Sequence, residues 1–200
     1  MKDEVGSSAR RFDPVLRTKL HPLQLTPGLI DRERLIRQMN RALEVPLTLV
    51  SAPAGYGKSV LVAQWAAQLD SPIAWLLLDA GDSEPRAFLQ YFLAAVDTVS
   101  PGACDATREL LESASLAPAP ILARYLLNDL DAMDAPCVIV LDDYHRIDPR
   151  SPVQDLMIRM LEHPPARFRF IVLTRQDPPL DLPSLRAGDR INDVRLQDRG

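Results

Sequence analysis

The chain has 200 residues, of which 46% are hydrophobic and 25% charged, a composition that fits one globular domain with flanking segments. Its net charge of −4 excludes the general basic character of a protein that binds nucleic acid or anionic membrane. The polar N-terminal residues do not form a signal peptide, and no apolar run approaches the roughly 18 residues of a membrane span. Two cysteines provide neither a metal cluster nor a disulfide framework. These features predict a cytoplasmic protein.

Hydrophobic periodicity divides the chain into three parts. Residues 1–18 lack periodicity and are predicted to be a disordered N-terminal segment. Residues 19–46 are predicted to be an extension with one helix, which begins at Asp31 as N-cap and ends at Pro46. The inward face of this helix is predicted to carry Leu35, Ile36, Met39 and Leu43. Residues 47–200 form the predicted core.

In the core, short apolar or β-branched runs alternate with amphipathic segments. The runs predict strands at 47–50, 73–78, 137–141 and 168–173, with a fifth at 194–196. The segments predict helices at 59–69, 85–96, 120–133 and 153–161, with a short helix within 100–118. The helix at 120–133 is predicted to bury Ile121, Leu122, Tyr125, Leu126 and Leu130. The alternation predicts an α/β fold, in which a parallel five-stranded sheet is covered by helices on both faces.

The turn after the first core strand matches the phosphate-binding loop pattern. Residues 52–59 fit it except at the first position, where alanine replaces glycine. Gly55 and Gly57 allow the backbone N–H groups to converge on phosphate oxygens, Lys58 reaches the β- and γ-phosphates, and the Ser59 hydroxyl binds Mg²⁺. The predicted nucleotide-binding residues are Pro53, Ala54, Gly55, Tyr56, Gly57, Lys58, Ser59 and Val60. A chance match is the alternative, but the strand before the loop and the helix after it favour a nucleotide site.

Two carboxylates follow the strand predicted at 137–141. Because ligands of parallel sheets gather at the carboxyl ends of strands, Asp142 and Asp143 are expected beside the phosphate-binding loop. Asp142 is predicted to hold Mg²⁺, directly or through water, and Asp143 to orient or deprotonate the attacking water. An ordinary acidic surface turn is the alternative, and the neighbouring loop favours the catalytic interpretation.

Polar residues also follow the strand predicted at 168–173. Arg175 is predicted to contact the γ-phosphate and to sense hydrolysis, with a solvated surface arginine as the alternative. His145 is predicted to pack or to form a hydrogen bond and not to act as a catalytic base. Trp65 and Trp75 lie on apolar faces and are predicted to be core residues.

Several longer phrases are similar to one family. They are Lys19–Pro22, Asp31–Leu35, Leu47–Ser59, Gln64–Trp65, Ala74–Leu76, Leu141–His145 and Leu173–Leu180. On these phrases the chain resembles the N-terminal ATPase module of the maltose-activator-like regulators. Those proteins are the large ATP-binding branch of LuxR-type transcription activators, in the STAND class of signal-transduction ATPases. The resemblance covers nearly all of residues 19–187.

The resemblance implies more than the residues do alone. It implies that the strand at 168–174 lies between the strand before the phosphate loop and the strand that ends at Asp142, and that Arg32 lies near the adenine or ribose. It implies ADP in a closed monomer, and ATP with an inducer in oligomers that activate transcription. The winged-helix, sensor and DNA-binding domains of the family are absent here, so the chain looks like an N-terminal fragment. Gly188-Asp189 departs from the family, which usually has a basic residue after Ala187.

Three functions are consistent with these residues. The first is a regulatory switch, reset by slow hydrolysis of Mg·ATP, that self-associates in the ATP state and reaches DNA only through domains absent from this chain. The second is a conventional P-loop enzyme such as a kinase or motor, although no acceptor pocket or mobile basic lid is evident in the sequence. The third is a module that binds nucleotide without hydrolysing it. The resemblance favours the switch.

Overall fold

The computed structural model describes residues 14–25, 33–70 and 73–196. Residues 1–13 of the predicted N-terminal segment, and the predictions made for Asp31 and Arg32, lie outside the described residues. The first described residues lead into a 3₁₀ turn at Arg17–Leu20. Within the described ranges, each helix is either too short or too polar to span a lipid bilayer.

In the described part of the chain, five parallel strands form one sheet. They are β1 (Leu47–Ser51), β2 (Ile73–Leu77), β3 (Cys137–Asp142), β4 (Phe168–Thr174) and β5 (Ile191–Arg195). Their order across the sheet is β2-β3-β4-β1-β5, with every pair parallel. All residues of β1 and β3 are buried, which is expected for central strands that are covered on both faces. The predicted parallel five-stranded α/β fold is confirmed.

Helices cover both faces of this sheet. They are α1 (Glu33–Met39), α2 (Lys58–Ala66), α3 (Pro85–Asp97), α4 (Asp105–Glu112), α5 (Ala119–Asp131), α6 (Pro152–Glu162) and α7 (Leu182–Ala187). Successive residues of β1 alternate between the faces: Leu49 joins the core under α3 to α7, and Val50 joins the core under α1 and α2. The latter core also contains Trp65 and Trp75, which confirms their prediction as buried residues.

Three apolar residues that were predicted to point inward are exposed. Leu43, Ile121 and Tyr125 expose 43%, 37% and 41% of their surface, so these predictions were wrong. In α5 the buried stripe consists of Leu122, Leu126 and Leu130. Ile121 and Tyr125 each precede a stripe residue by one position, which turns them by about 100° around the helix. Leu43 lies in a 3₁₀ turn, where the tighter winding moves it off the inward face of α1.

The C-terminal part of the core differs in detail from the prediction. The last strand begins at Ile191 instead of Val194, and the short helix α7 was not predicted. The start of the strand was missed because the polar amide of Asn192 interrupts the apolar run. The structure buries this amide, which donates a hydrogen bond of 3.0 Å to the backbone carbonyl of Gln38 in α1. The predicted helix 59–69 is also shorter and ends at Ala66.

Candidate nucleotide-binding site

The strand order brings three of the predicted site segments to one edge of the sheet. β4 lies between β1 and β3, as the resemblance implied. Ser51, the last residue of β1, pairs with Thr174, and the Ala52 amide donates a hydrogen bond of 3.3 Å to the Thr174 carbonyl. Because all strands are parallel, the phosphate loop, the acidic pair after β3 and Arg175 after β4 share the carboxyl edge of the sheet.

The phosphate loop has the backbone conformation that its glycines permit. Gly55 and Gly57 have φ angles of +82° and +74°, in the left-handed region that other L-residues rarely adopt. Gly57 is the N-cap of α2 and provides no capping side chain. The first N–H groups of α2 are therefore available to an anion, and the helix dipole favours negative charge there.

The Lys58 ammonium is held close to the loop that precedes it. Its Nζ donates hydrogen bonds to the carbonyls of Ala52 at 2.9 Å and Pro53 at 3.2 Å, and the residue is buried. The pKa of Lys58 lies below its usual value, chiefly because burial disfavours the charge; Asp143 opposes the shift, and Arg175 adds to it. A desolvated cation of this kind interacts strongly with phosphate because water screens it poorly.

Ser59 lies at the start of α2, close to Asp142 at the end of β3. The Asp142 carboxylate accepts a hydrogen bond of 2.8 Å from the Asp143 amide, and the Ser59 hydroxyl lies near enough to favour its charged form. The pKa of Asp142 lies above its usual value because burial disfavours its charge more than the nearby Ser59 hydroxyl favours it. A hydroxyl and a carboxylate oxygen are ligands that Mg²⁺ accepts, so the pair fits a magnesium site next to phosphate.

Asp143 and His145 lie together just past β3. Asp143 adopts a φ of +57°, and its carboxylate is partly exposed to solvent. His145 Nδ1 lies 3.8 Å from Asp143 Oδ1, beyond hydrogen-bond distance, and neither ring nitrogen has a hydrogen-bond partner among the described residues. The pKa of His145 lies below its usual value because of burial, an effect that Asp143 opposes and Arg175 reinforces. The partial burial of His145 agrees with the predicted packing, and the predicted hydrogen bond finds no partner among the described residues.

Arg175 lies at the exposed end of this group. The side chain of the preceding residue, Thr174, is buried, and its hydroxyl donates a hydrogen bond of 2.7 Å to the Gln176 carbonyl. Arg175 takes part in none of the ion pairs within the described ranges, yet its charge lowers the pKa of both Lys58 and His145. The guanidinium is therefore near the loop and free to bind an added anion.

The remaining predicted residues occupy different parts of the loop and helix. Pro53 and Ala54 are exposed on the loop, Tyr56 packs partly against the core under α1 and α2, and Val60 is partly buried in α2. Their contacts with nucleotide, like the roles of the residues above, stay predictions. The prediction for Arg32 lies outside the described residues.

A family profile and individual relatives both match this chain. The sequence profile of the AAA ATPase domain matches residues 29–173. The HTH-type transcriptional regulator MalT of Yersinia enterocolitica is 34% identical over 176 residues, which are 88% of this chain and 19% of that protein. The MalT of Yersinia pestis gives the same values. The chain thus spans about a fifth of the length of the curated relatives it matches, and the resemblance to maltose-activator-like regulators is confirmed.

Solved structures agree on the fold. The Cdc6p structure from Pyrobaculum aerophilum superimposes with a TM-score of 0.57 at 18% identity, over 91% of this chain and 49% of that one. A signal-transduction ATPase with numerous domains from Pyrococcus horikoshii, which has a tetratricopeptide repeat sensor, gives a TM-score of 0.61 at 15% identity. That match covers 90% of this chain and 25% of the other. At these identities the likeness concerns the fold alone.

Proposed function

The chain belongs to the AAA ATPase domain family, and we propose from this premise that it is a Mg·ATP-dependent switch module of a transcription regulator. The observation that supports the proposal most is that the phosphate loop and the buried carboxylate of Asp142 lie together at the carboxyl edge of the sheet. There the Ser59 hydroxyl, at the start of α2, and the buried Lys58 ammonium both lie near enough to Asp142 to favour its charged form. Bound Mg·ATP needs these three groups together.

Each group has a distinct role in the proposal. Lys58 and the N–H groups at the start of α2 bind the β- and γ-phosphates, while Ser59 and Asp142 hold Mg²⁺. When bound between Ser59 and Asp142, Mg²⁺ would supply positive charge to offset the charge of the phosphates. Asp143, whose carboxylate is 32% exposed to solvent, orients the attacking water and accepts its proton.

Arg175 distinguishes ATP from ADP in this proposal. Its guanidinium is unpaired within the described chain and lies near Lys58, where it meets the γ-phosphate of ATP and lacks that partner in ADP. To change a two-state equilibrium from 1:99 to 99:1, ATP must favour one state by about 10⁴-fold. One charge-assisted contact contributes roughly 1.5–3 kcal/mol, so Arg175 supplies part of this preference.

The length of the relatives suggests how the switch is used. Their name describes HTH-type transcriptional regulators, and they are about five times as long as the matched segment. We infer that the ATP state favours self-association and that DNA is bound through a different part of a longer protein. An inducer, bound outside the described residues, biases the same equilibrium.

Replacement of Arg175 by alanine tests the sensing role. The affinity for a non-hydrolysable Mg·ATP analogue should fall about tenfold or more, while the affinity for Mg·ADP changes less than about twofold. Isothermal titration calorimetry of the wild type and of Arg175→Ala measures the affinities for the Mg·ATP analogue and for Mg·ADP. Equal losses for both nucleotides would show that Arg175 contributes to general phosphate binding and not to discrimination.

Turnover separates the switch from the other two functions. Slow hydrolysis that disappears in Asp143→Ala, with nucleotide affinity retained, is the result expected for a switch. Turnover of about 1–100 per second would indicate a conventional P-loop enzyme instead. Binding without any turnover in the wild type would indicate a nucleotide-binding module. Asp148→Ala is a suitable control, since Asp148 is an exposed carboxylate in the same region after β3.

A further inference from the structure

Four charged side chains form a closed ring beside the loop that follows β4. We call Asp177, Arg186, Asp193 and Arg195 the charge ring. Arg186 lies 3.2 Å from Asp177 and 2.8 Å from Asp193, and Arg195 lies 2.8 Å from Asp177 and 3.3 Å from Asp193. Each arginine therefore bridges both carboxylates, and each carboxylate has a cation on two sides. The two signs alternate around the ring, so neighbouring charges always attract.

The charge ring connects the loop to the sheet. Asp177 belongs to the loop, Arg186 to α7, and Asp193 and Arg195 to β5. β5 pairs with β1 in register along its full length, so the ring has a rigid base. The four side chains are 29–42% exposed, and a single pair at such exposure contributes little. A closed network of four contributes more than isolated pairs, because each side chain is held by two partners at once, and the position of Asp177 depends on both arginines.

This arrangement limits the freedom of Arg175. The segment 175–177 is exposed, but it is fixed at one end by the buried Thr174 and at the other by Asp177 in the charge ring. The chain beyond is also anchored, since Leu180 is buried. Only Arg175 and Gln176 lie between the two fixed points. The backbone of Arg175 is thus presented to the phosphate loop from a defined position, and only its side chain remains to be ordered.

We propose that Asp177 is a positioning residue for Arg175, through which the charge ring sets the preference of the site for ATP over ADP. The inference rests on the proposed function, because Asp177 makes no contact with nucleotide itself and acts only through the contact of Arg175. It also gives a role to the Asp-Pro-Pro-Leu part of the 173–180 phrase, which the nucleotide site does not use. The ring acts on the sensor and not on the phosphate loop, so ADP binding does not depend on it.

The test compares Asp177→Asn with Asp181→Asn in the full 200-residue chain. Both substitutions remove one negative charge from the same loop. Asp181 takes part in no ion pair within the described ranges and makes no capping hydrogen bond, and asparagine tolerates its φ of +50°. Calorimetry measures the affinity for Mg²⁺ with β,γ-imido-ATP and with ADP. We expect Asp177→Asn to lower the ATP-analogue preference about three- to tenfold with ADP affinity unchanged, and Asp181→Asn to leave both affinities unchanged.

The double variant Arg175→Ala/Asp177→Asn decides whether Asp177 acts through Arg175. If it does, the double variant has the same preference as Arg175→Ala alone, since the effects of coupled residues do not add. A further loss in the double variant, or no effect of Asp177→Asn when Arg175→Ala has one, would overturn the inference while leaving the proposed function intact. No effect of Arg175→Ala would instead remove the sensing role on which the inference rests.

A second variant keeps the test decisive if Asp177→Asn does not fold. Arg195→Met removes the ion pair between Asp177 and β5 but leaves the ion pair between Asp177 and Arg186. Folding of every variant is checked by urea denaturation before titration. Arg195→Met should lower the ATP-analogue preference in the same direction as Asp177→Asn. A folded Arg195→Met variant with wild-type preference would contradict the positioning role of the ring.

Discussion

The conformation of the phosphate loop leads to a quantitative prediction for Gly55. Its φ of +82° costs other L-residues about 1–2 kcal/mol, whereas a Cβ built at this position would meet no atom within 4 Å. The cost of Gly55→Ala is therefore conformational and not steric. Alanine also restricts the unfolded chain, which recovers about 0.4–1 kcal/mol. The free energy of unfolding should thus fall by about 1 kcal/mol.

Urea denaturation of the nucleotide-free chain measures this change. With a slope of about 2 kcal/mol per molar urea, the midpoint of Gly55→Ala should fall by about 0.5 M. Gly55→Asn is the matched variant, because asparagine adopts the left-handed region more readily than alanine although it is larger. It should lose less stability than Gly55→Ala. A greater loss for asparagine would show that space, not the φ angle, requires glycine, and unchanged midpoints in both variants would refute the reasoning.

Two further predictions concern the acidic pair and α5. Because the pKa of folded Asp142 is raised, the folded chain retains this proton at pH values where the unfolded chain has lost it, so the free energy of unfolding falls as pH rises through that window. Asp142→Asn should remove this pH dependence, stabilise the nucleotide-free chain at neutral pH and abolish Mg²⁺-dependent binding. Urea denaturation between about pH 4 and pH 7 measures the pH dependence of the free energy of unfolding, and an unchanged pH dependence in the variant would contradict the assignment. In α5, Leu122→Ala should lower the free energy of unfolding by about 2–5 kcal/mol and Ile121→Ser by less than about 0.5 kcal/mol, since only Leu122 is buried. Similar decreases in both variants, measured by denaturation, would contradict the observed helix face.

The sheet was predictable because its signals are local. The apolar runs that became β1 to β4 are short, bounded by turn residues and separated by helical periodicity. The phosphate loop was recognisable because its glycines and Lys58 act on one ligand through neighbouring backbone groups. The position of β4 between β1 and β3 came from the resemblance, since the strand order depends on contacts that no single segment encodes.

What could not be predicted depends on partners that are distant in sequence. Asn192 is buried in β5 because its amide reaches the Gln38 carbonyl, 154 positions away. The charge ring likewise needs α7 and β5 to fold against the loop before Asp177 meets its arginines. For His145, the short distance to Asp143 in sequence was a signal, but only the fold shows that Lys58 and Arg175 are near enough to lower its pKa.

The central claim is that this chain binds Mg·ATP through Lys58, and calorimetric titration of the wild type and of Lys58→Ala tests it most directly. Lys58 provides charge-assisted contacts to two phosphates, worth about 3–6 kcal/mol together, so its loss should weaken binding by roughly 10²- to 10⁴-fold. Arg37→Ala, which removes an exposed positive charge from α1, should bind like the wild type. The account predicts saturable Mg·ATP binding that only Lys58→Ala weakens. A folded Lys58→Ala variant with wild-type affinity, or a folded wild type that does not bind, would contradict it.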